Sequence, residues 1–192
     1  MKSILEKYKT DIEKLEKITG KVIYSKLLKE KNRINFFSKI SEVKIGKYLA
    51  QEFHNFIEYE SVIHKQIPDW LISYNKEKII VEVLKINLPN IKLTNKIESY
   101  EKGEYFIPPS GVFMGLACLS FYDKMKIEDK ELKYRKLIEQ KGYKMIIGVD
   151  VSDWEKRIDV LDIKDSFNFR KPNTECNQFI KNVAGLLVIP YF

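Results

Sequence analysis

The stretch from Pro68 to Lys85, PDWLISYNKEKIIVEVLK, constrains the fold of this chain more than any other. Two runs rich in β-branched and aromatic residues, WLISY and IIVEVLKI, flank the polar NKEK, the pattern of two short strands joined by a tight turn. A two-residue turn at Asn75-Lys76 pairs Tyr74 with Glu77 and, counted back, sets Asp69 opposite Glu82. Directly opposed residues on one sheet face have Cβ atoms roughly 5 Å apart. Two bare carboxylates that close repel, so they need a shared proton or a cation between them. The spacing therefore predicts a metal site at Asp69 and Glu82, conditional on the register.

The rest of the chain has to supply a core for this hairpin. Of its 192 residues, 44% are hydrophobic, enough for a sizeable core and too many for wholesale disorder. The length predicts a helical extension over 1–36 and one core domain over 37–192. A net charge of +7, carried almost entirely by lysine, favours a polyanionic partner such as nucleic acid. That signal is weak on its own, because Lys, Ile and Asn are abundant everywhere in the sequence. Cys118 and Cys176 form no CxxC pair, which predicts reduced thiols and a cytoplasmic location. No apolar run reaches membrane-spanning length, and the charged N-terminus reads as a helix rather than a signal peptide, so no membrane partner is expected.

Residues 2–19 repeat apolar groups at Ile4, Leu5, Tyr8, Ile12, Leu15 and Ile18, a helical period that Gly20 ends. A second helical piece over 21–30 follows, and the pair can pack on the core, pair two copies into a homodimer, or form a lid. Ser41 reads as the N-cap of a helix to Phe53 with the stripe Ile45, Leu49 and Phe53. Glu42 falls on that stripe and points inward, or else it is a first-turn acid favoured by the helix dipole. Residues 55–64 read as a strand, and 88–111, with Pro89, Pro108 and Pro109, as a loop or insertion. The apolar run 111–121 fits strand or helix equally. Residues 124–141 read as a helix ended by Gly142, 144–152 as a buried strand, 173–182 as a helix and GLLVIPYF as a last strand. This order implies an α/β chain of the α+β kind, with a central mixed β-sheet flanked by helices.

A helix-borne Glu, then Pro-Asp, then a strand containing Glu, then a crossover helix and strand is an order that resembles the PD-(D/E)XK nuclease superfamily. The matching residues are Glu42, Pro68-Asp69 and Glu82 in VEVLK, and the likeness covers roughly residues 40–152 through short motifs. The resemblance implies a restriction-endonuclease-like core and a Mg²⁺-dependent, or Mn²⁺-dependent, hydrolase acting on phosphodiester bonds. It implies Asp69 and Glu82 as metal ligands, Glu42 as a further ligand or base, and DNA as the substrate, with RNA left open. Hard carboxylate oxygens suit Mg²⁺, which takes substrate phosphate oxygens and waters as its remaining ligands.

The superfamily places a lysine two residues after the Glu, and here that position is Leu84, with Lys85 one further on. Strand side chains alternate, so Lys85 faces away from Glu82 unless a bulge re-aims it. A lysine from elsewhere can substitute. On the 124–141 helix the stripe is Ile127, Tyr134, Leu137 and Ile138, and Lys130 lies on it, where a solvated lysine has no reason to be. Lys133 is one step round, and either lysine can also snorkel at the core edge. Asp150 and Asp153 are third-carboxylate candidates or turn caps. His54 and His64 lack zinc-ligand spacing, no glycine-rich phosphate loop is present, Ser110-Gly111 lacks the frame of a nucleophile elbow, and Trp70 and Trp154 read as core or rim aromatics. Two readings follow: a metal-dependent nuclease, or a catalytically inactive nuclease-like protein that binds nucleic acid or a partner protein.

Overall fold

A computed structural model describes residues 1–85, 127–150 and 183–189. Expectations for the loop 88–111, the run 111–121 and the helix 173–182 lie outside the described residues, as do Cys118, Cys176, Asp153, Trp154 and Ser110-Gly111.

The first helical period divides into α1 (Lys2–Lys7) and α2 (Lys9–Thr19), with Tyr8 between them at φ −98° and ψ 4°. Gly20 ends α2 at φ +65°, a left-handed conformation that glycine adopts without a Cβ penalty. Helix α3 (Tyr24–Lys29) is shorter than the expected 21–30.

The next helix corrects the sequence reading. Helix α4 runs Arg33–Phe53, and its cap is Asn32, whose side-chain oxygen accepts from Ile34 N at 2.9 Å and Asn35 N at 3.2 Å. Ser41 is therefore a mid-helix residue, fully buried, with its Oγ donating to Asp150 Oδ2 at 2.6 Å. Its Oγ also lies 3.1 Å from the Phe37 carbonyl one turn back, the bond of a serine inside a helix rather than of one that caps it. The helix also runs unbroken through residues 36 and 37.

The sheet has five strands in the order β1 (Ile57–Tyr59), β2 (Trp70–Tyr74), β3 (Glu77–Lys85), β4 (Lys144–Asp150) and β5 (Gly185–Ile189). Pairs β1–β2 and β2–β3 are antiparallel, while β3–β4 and β4–β5 are parallel, so the sheet is mixed. The β2–β3 register is the expected one, with Tyr74 paired to Glu77. Asn75 and Lys76 sit at φ 49° and 67°, the turn geometry whose twist matches the flanking strands. The expected strand over 55–64 is only three residues long, and the chain then turns back on itself between Ile63 and Gln66.

Two cores lie on the two faces of the sheet. On one, Leu5, Ile12, Leu15, Ile23 and Leu27 of the first helices pack with Phe36, Ile40, Ile45 and Leu49 of α4 onto Trp70, Ile72, Val81 and Val83. On the other, helix α5 (Ile127–Lys141) lays Tyr134 and Leu137 against Leu71, Ile80, Met145, Ile147 and Val149. Alternation along β3 thus gives Val81 and Val83 to the α4 face, and Ile80 and Glu82 to the α5 face. No helix among the described residues is long and apolar enough to cross a membrane.

Candidate active site

Asp69 stands one step beyond the last β2–β3 pair, Trp70 with Val81, and continuing that register sets it across from Glu82. Its Oδ2 accepts the Val83 N–H at 2.7 Å, which fixes the carboxyl at the mouth of the hairpin. Glu82, mid-strand and only 2% exposed, points to the α5 face. A carboxylate buried that deeply needs charge and hydrogen-bond partners. Helix α5 supplies them from residues three and four apart on one face. Lys130 Nζ ion-pairs with Glu82 Oε2, the Tyr134 hydroxyl donates to Oε1, and Lys133 Nζ lies 3.3 Å from Oε1. Lys133 also donates to the Ile67 carbonyl at 3.0 Å, tying the helix to the chain just before Asp69.

Glu42 is buried on α4. Its Oε2 accepts from the Tyr59 hydroxyl at 2.6 Å and from Lys39 Nζ at 3.0 Å, while Lys39 also reaches Glu60 Oε1 at 2.6 Å. The backbone of the same residue is anchored, because its carbonyl accepts Trp70 Nε1 at 3.0 Å. That bond places Glu42 next to the start of β2, where Asp69 lies.

The electrostatics connect the three acids. Burial pushes the Asp69 carboxyl up to about 7, reinforced by the charges of Glu42 and Glu82 and only partly opposed by Lys130 and the Val83 N–H. Burial also raises Glu42, against the pull of Lys39 and Tyr59. The Tyr59 and Tyr134 hydroxyls are held far above the ordinary phenol range by burial and by Glu42 and Glu82 respectively, so both remain donors. Burial draws the Lys39 amine down, and Glu42 and Glu60 more than reverse it. Asp69 is thus the acid with too little positive charge near it.

The remaining expected residues lie elsewhere. Lys85 ends β3, where its backbone pairs with Asp150; its side chain is outside the described residues. Leu84, in the position of the motif lysine, packs against the α5-face core. Asp150 is buried at the end of β4 and takes Ser41 Oγ at 2.6 Å and Lys44 Nζ at 3.0 Å. His54, at the start of a short 3-10 helix, and His64, in a turn, are both exposed. Among the described residues, no three His, Cys, Asp or Glu side chains gather as a ready metal-ligand set.

Of the residues expected from the sequence, Asp69 lies across from Glu82 on the continued register, Lys130 ion-pairs with Glu82, and the charge of Glu42 acts on Asp69. Tyr134, Lys133, Tyr59 and Lys39 play larger parts than their sequence signal suggests. Tyr134 reads as an apolar stripe residue, yet its position four after Lys130 already puts its hydroxyl beside that amine; Lys39, three before Glu42, carries the same signal.

Asp69 and Glu82 are the two carboxylates that could hold a hard divalent cation, although both Glu82 oxygens are engaged by side chains of α5. Asp69 and Glu82 supply adjacent oxygens, and Asp69 lacks the compensating charge such an ion brings. Glu42 is already committed to Tyr59 and Lys39. Comparison of the chain with protein-family models, with curated proteins and with solved structures gives no match.

Proposed function

We propose that the chain is a metal-dependent nuclease with a restriction-endonuclease-like core, hydrolysing phosphodiester bonds in DNA. The observation that supports it most is the meeting of Asp69, Glu82 and Lys130 from three separate elements at one end of the sheet. On this reading Asp69 and Glu82 hold Mg²⁺ or Mn²⁺, which when bound supplies Lewis acidity to the attacking water and to the phosphate oxygens. Tyr134 and Lys133 keep Glu82 oriented through Oε1. Lys130, whose amine is paired with Glu82 Oε2, would orient the water or the scissile phosphate. Lys130 so takes the role of the lysine that Leu84 displaces. Glu42, set by Trp70 and Tyr59, acts through its charge on Asp69.

The test is supercoiled plasmid DNA incubated with Mg²⁺ or Mn²⁺. Cleavage by the parent chain, with Asp69→Asn, Glu82→Gln and Lys130→Ala each lowering the rate at least a hundredfold, supports the reading. Cleavage that all three variants retain overturns it.

One feature favours the second reading, a nuclease-like protein that binds nucleic acid or a partner protein without cleaving. Glu82 is already compensated on both oxygens by side chains of α5. Salt-sensitive DNA binding without strand cleavage, in either metal, is the outcome that selects it.

A further inference from the structure

The segment between β1 and β2 takes no part in the chemistry above, yet it is built as a rigid protrusion. Ile63 N donates to Gln66 O, and Gln66 N to Ile63 O, both at 2.8 Å. His64 and Lys65 form the tip at φ 45° and 70°, a two-residue turn of the primed kind. Its root is fixed at three points. Ile63 is buried among Leu71, Ile80 and Tyr134. The Ile67 carbonyl accepts Lys133 Nζ at 3.0 Å, and the Glu60 N–H donates to Asp69 O at 3.1 Å. The flanks are different: Val62 is 70% and Ile67 51% exposed. A tight hairpin turn closed by one antiparallel bridge therefore stands directly before Pro68-Asp69, with β-branched side chains on its flanks and an imidazole and an amine at its exposed tip.

We propose that residues 61–67 enter the major groove of a DNA duplex beside the phosphodiester at Asp69 and Glu82, Lys65 meeting a phosphate and Val62 and Ile67 meeting thymine methyl groups. This inference rests on the nucleic-acid reading of the site. The major groove is about 12 Å wide, admits a two-stranded ribbon, and displays the thymine methyl that apolar side chains contact. A lysine at the tip provides a positioning contact to the backbone. The net charge of +7 draws the polyanion in from a distance. Because the hairpin turn is already hydrogen-bonded and anchored, little conformational freedom is lost on binding. Its attachment through Lys133 to Glu82 sets the distance from groove to scissile bond.

Fluorescence anisotropy of the full chain on a labelled DNA duplex tests this, with Ca²⁺ in place of Mg²⁺ to keep the strands intact. Lys65→Ala is expected to weaken duplex binding about threefold to tenfold and to reduce the dependence of log affinity on log salt by about one. The double variant Val62→Ser/Ile67→Ser is expected to weaken binding at unchanged salt dependence. It should also abolish any preference for the thymine duplex over the same duplex with uracil in place of thymine. Both sets of substitutions are at exposed positions, and an unchanged thermal midpoint shows that the variants are folded. A parent that binds duplex, with variants that match it in affinity, salt dependence and thymine preference, overturns the turn's role and leaves the site reading standing. A parent that prefers the single strand overturns the groove assignment. A parent that binds no duplex at any salt concentration removes the nucleic-acid reading and the turn's role with it.

Discussion

Asp69 is the residue where sequence, geometry and electrostatics meet. Its carboxyl is raised to about 7 by burial, Glu42 and Glu82. An unfolded aspartate titrates near 4, so between about pH 4 and pH 7 the folded chain binds the extra proton. Stability then falls as pH rises through that window and levels off above it. Asp69→Asn removes this penalty and keeps an oxygen for the Val83 N–H. The variant is therefore expected to gain on the order of 2 kcal/mol over the parent at pH 8, and little at pH 4.5. Urea unfolding at the two pH values checks this; a difference that does not change with pH contradicts it. Tyr134→Phe is a second test, since it takes one donor from the buried Glu82. It should cost about 1 kcal/mol in the same assay, and a neutral result means the hydroxyl does not support the carboxylate. At this scale the sequence was informative wherever a charge sat on an apolar stripe: Glu42 and Lys130 both point inward. It misled at Ser41, which reads as a helix cap because its partner Asp150 is more than a hundred residues away.

Helix α4 and the β2–β3 hairpin set the site as a pair of elements. They touch where Gly46 faces Trp70: a Cβ at position 46 would fall inside the indole ring. Trp70 is buried and its Nε1 holds the Glu42 carbonyl, so it has no room to yield. Gly46→Ala should cost about 1–3 kcal/mol, read as a lower urea midpoint, and a midpoint at or above the parent's contradicts this packing. The hairpin was legible in full, because alternation and a two-residue turn together leave one register, and a one-residue slip would turn Glu82 to the α4 face. The start of α4 was not. Asn32 and Ser41 are comparable caps by chemistry, and only the burial of Phe36 and Ile40 against the sheet decides for the earlier one. Strand β1 was overestimated for a related reason: Val62 and Ile63 carry strand-like composition, but the chain turns back between Ile63 and Gln66.

Across the whole molecule, a five-stranded mixed sheet separates the α4 layer from the α5 layer, and the acids collect where both layers meet one end of β2 and β3. The alternation of helix and strand signals predicts this arrangement in outline. The parallel β3–β4 pair follows from the connection through α5, while β5 joins beside β4 by a pairing that no local pattern specifies. A sheet holding an undercompensated acid at one end of its strands gains stability from any cation that binds only the folded chain. Mg²⁺ is accordingly expected to raise the thermal midpoint in proportion to its occupancy, an effect absent from Asp69→Asn. The most direct measurement is calorimetric titration of Mg²⁺, and of Mn²⁺, into the parent chain, Asp69→Asn and Glu82→Gln at pH 8. Saturable binding by the parent is expected, with at least tenfold weaker binding by each variant. No binding by the parent, or binding that both variants retain unchanged, would contradict a metal site at Asp69 and Glu82.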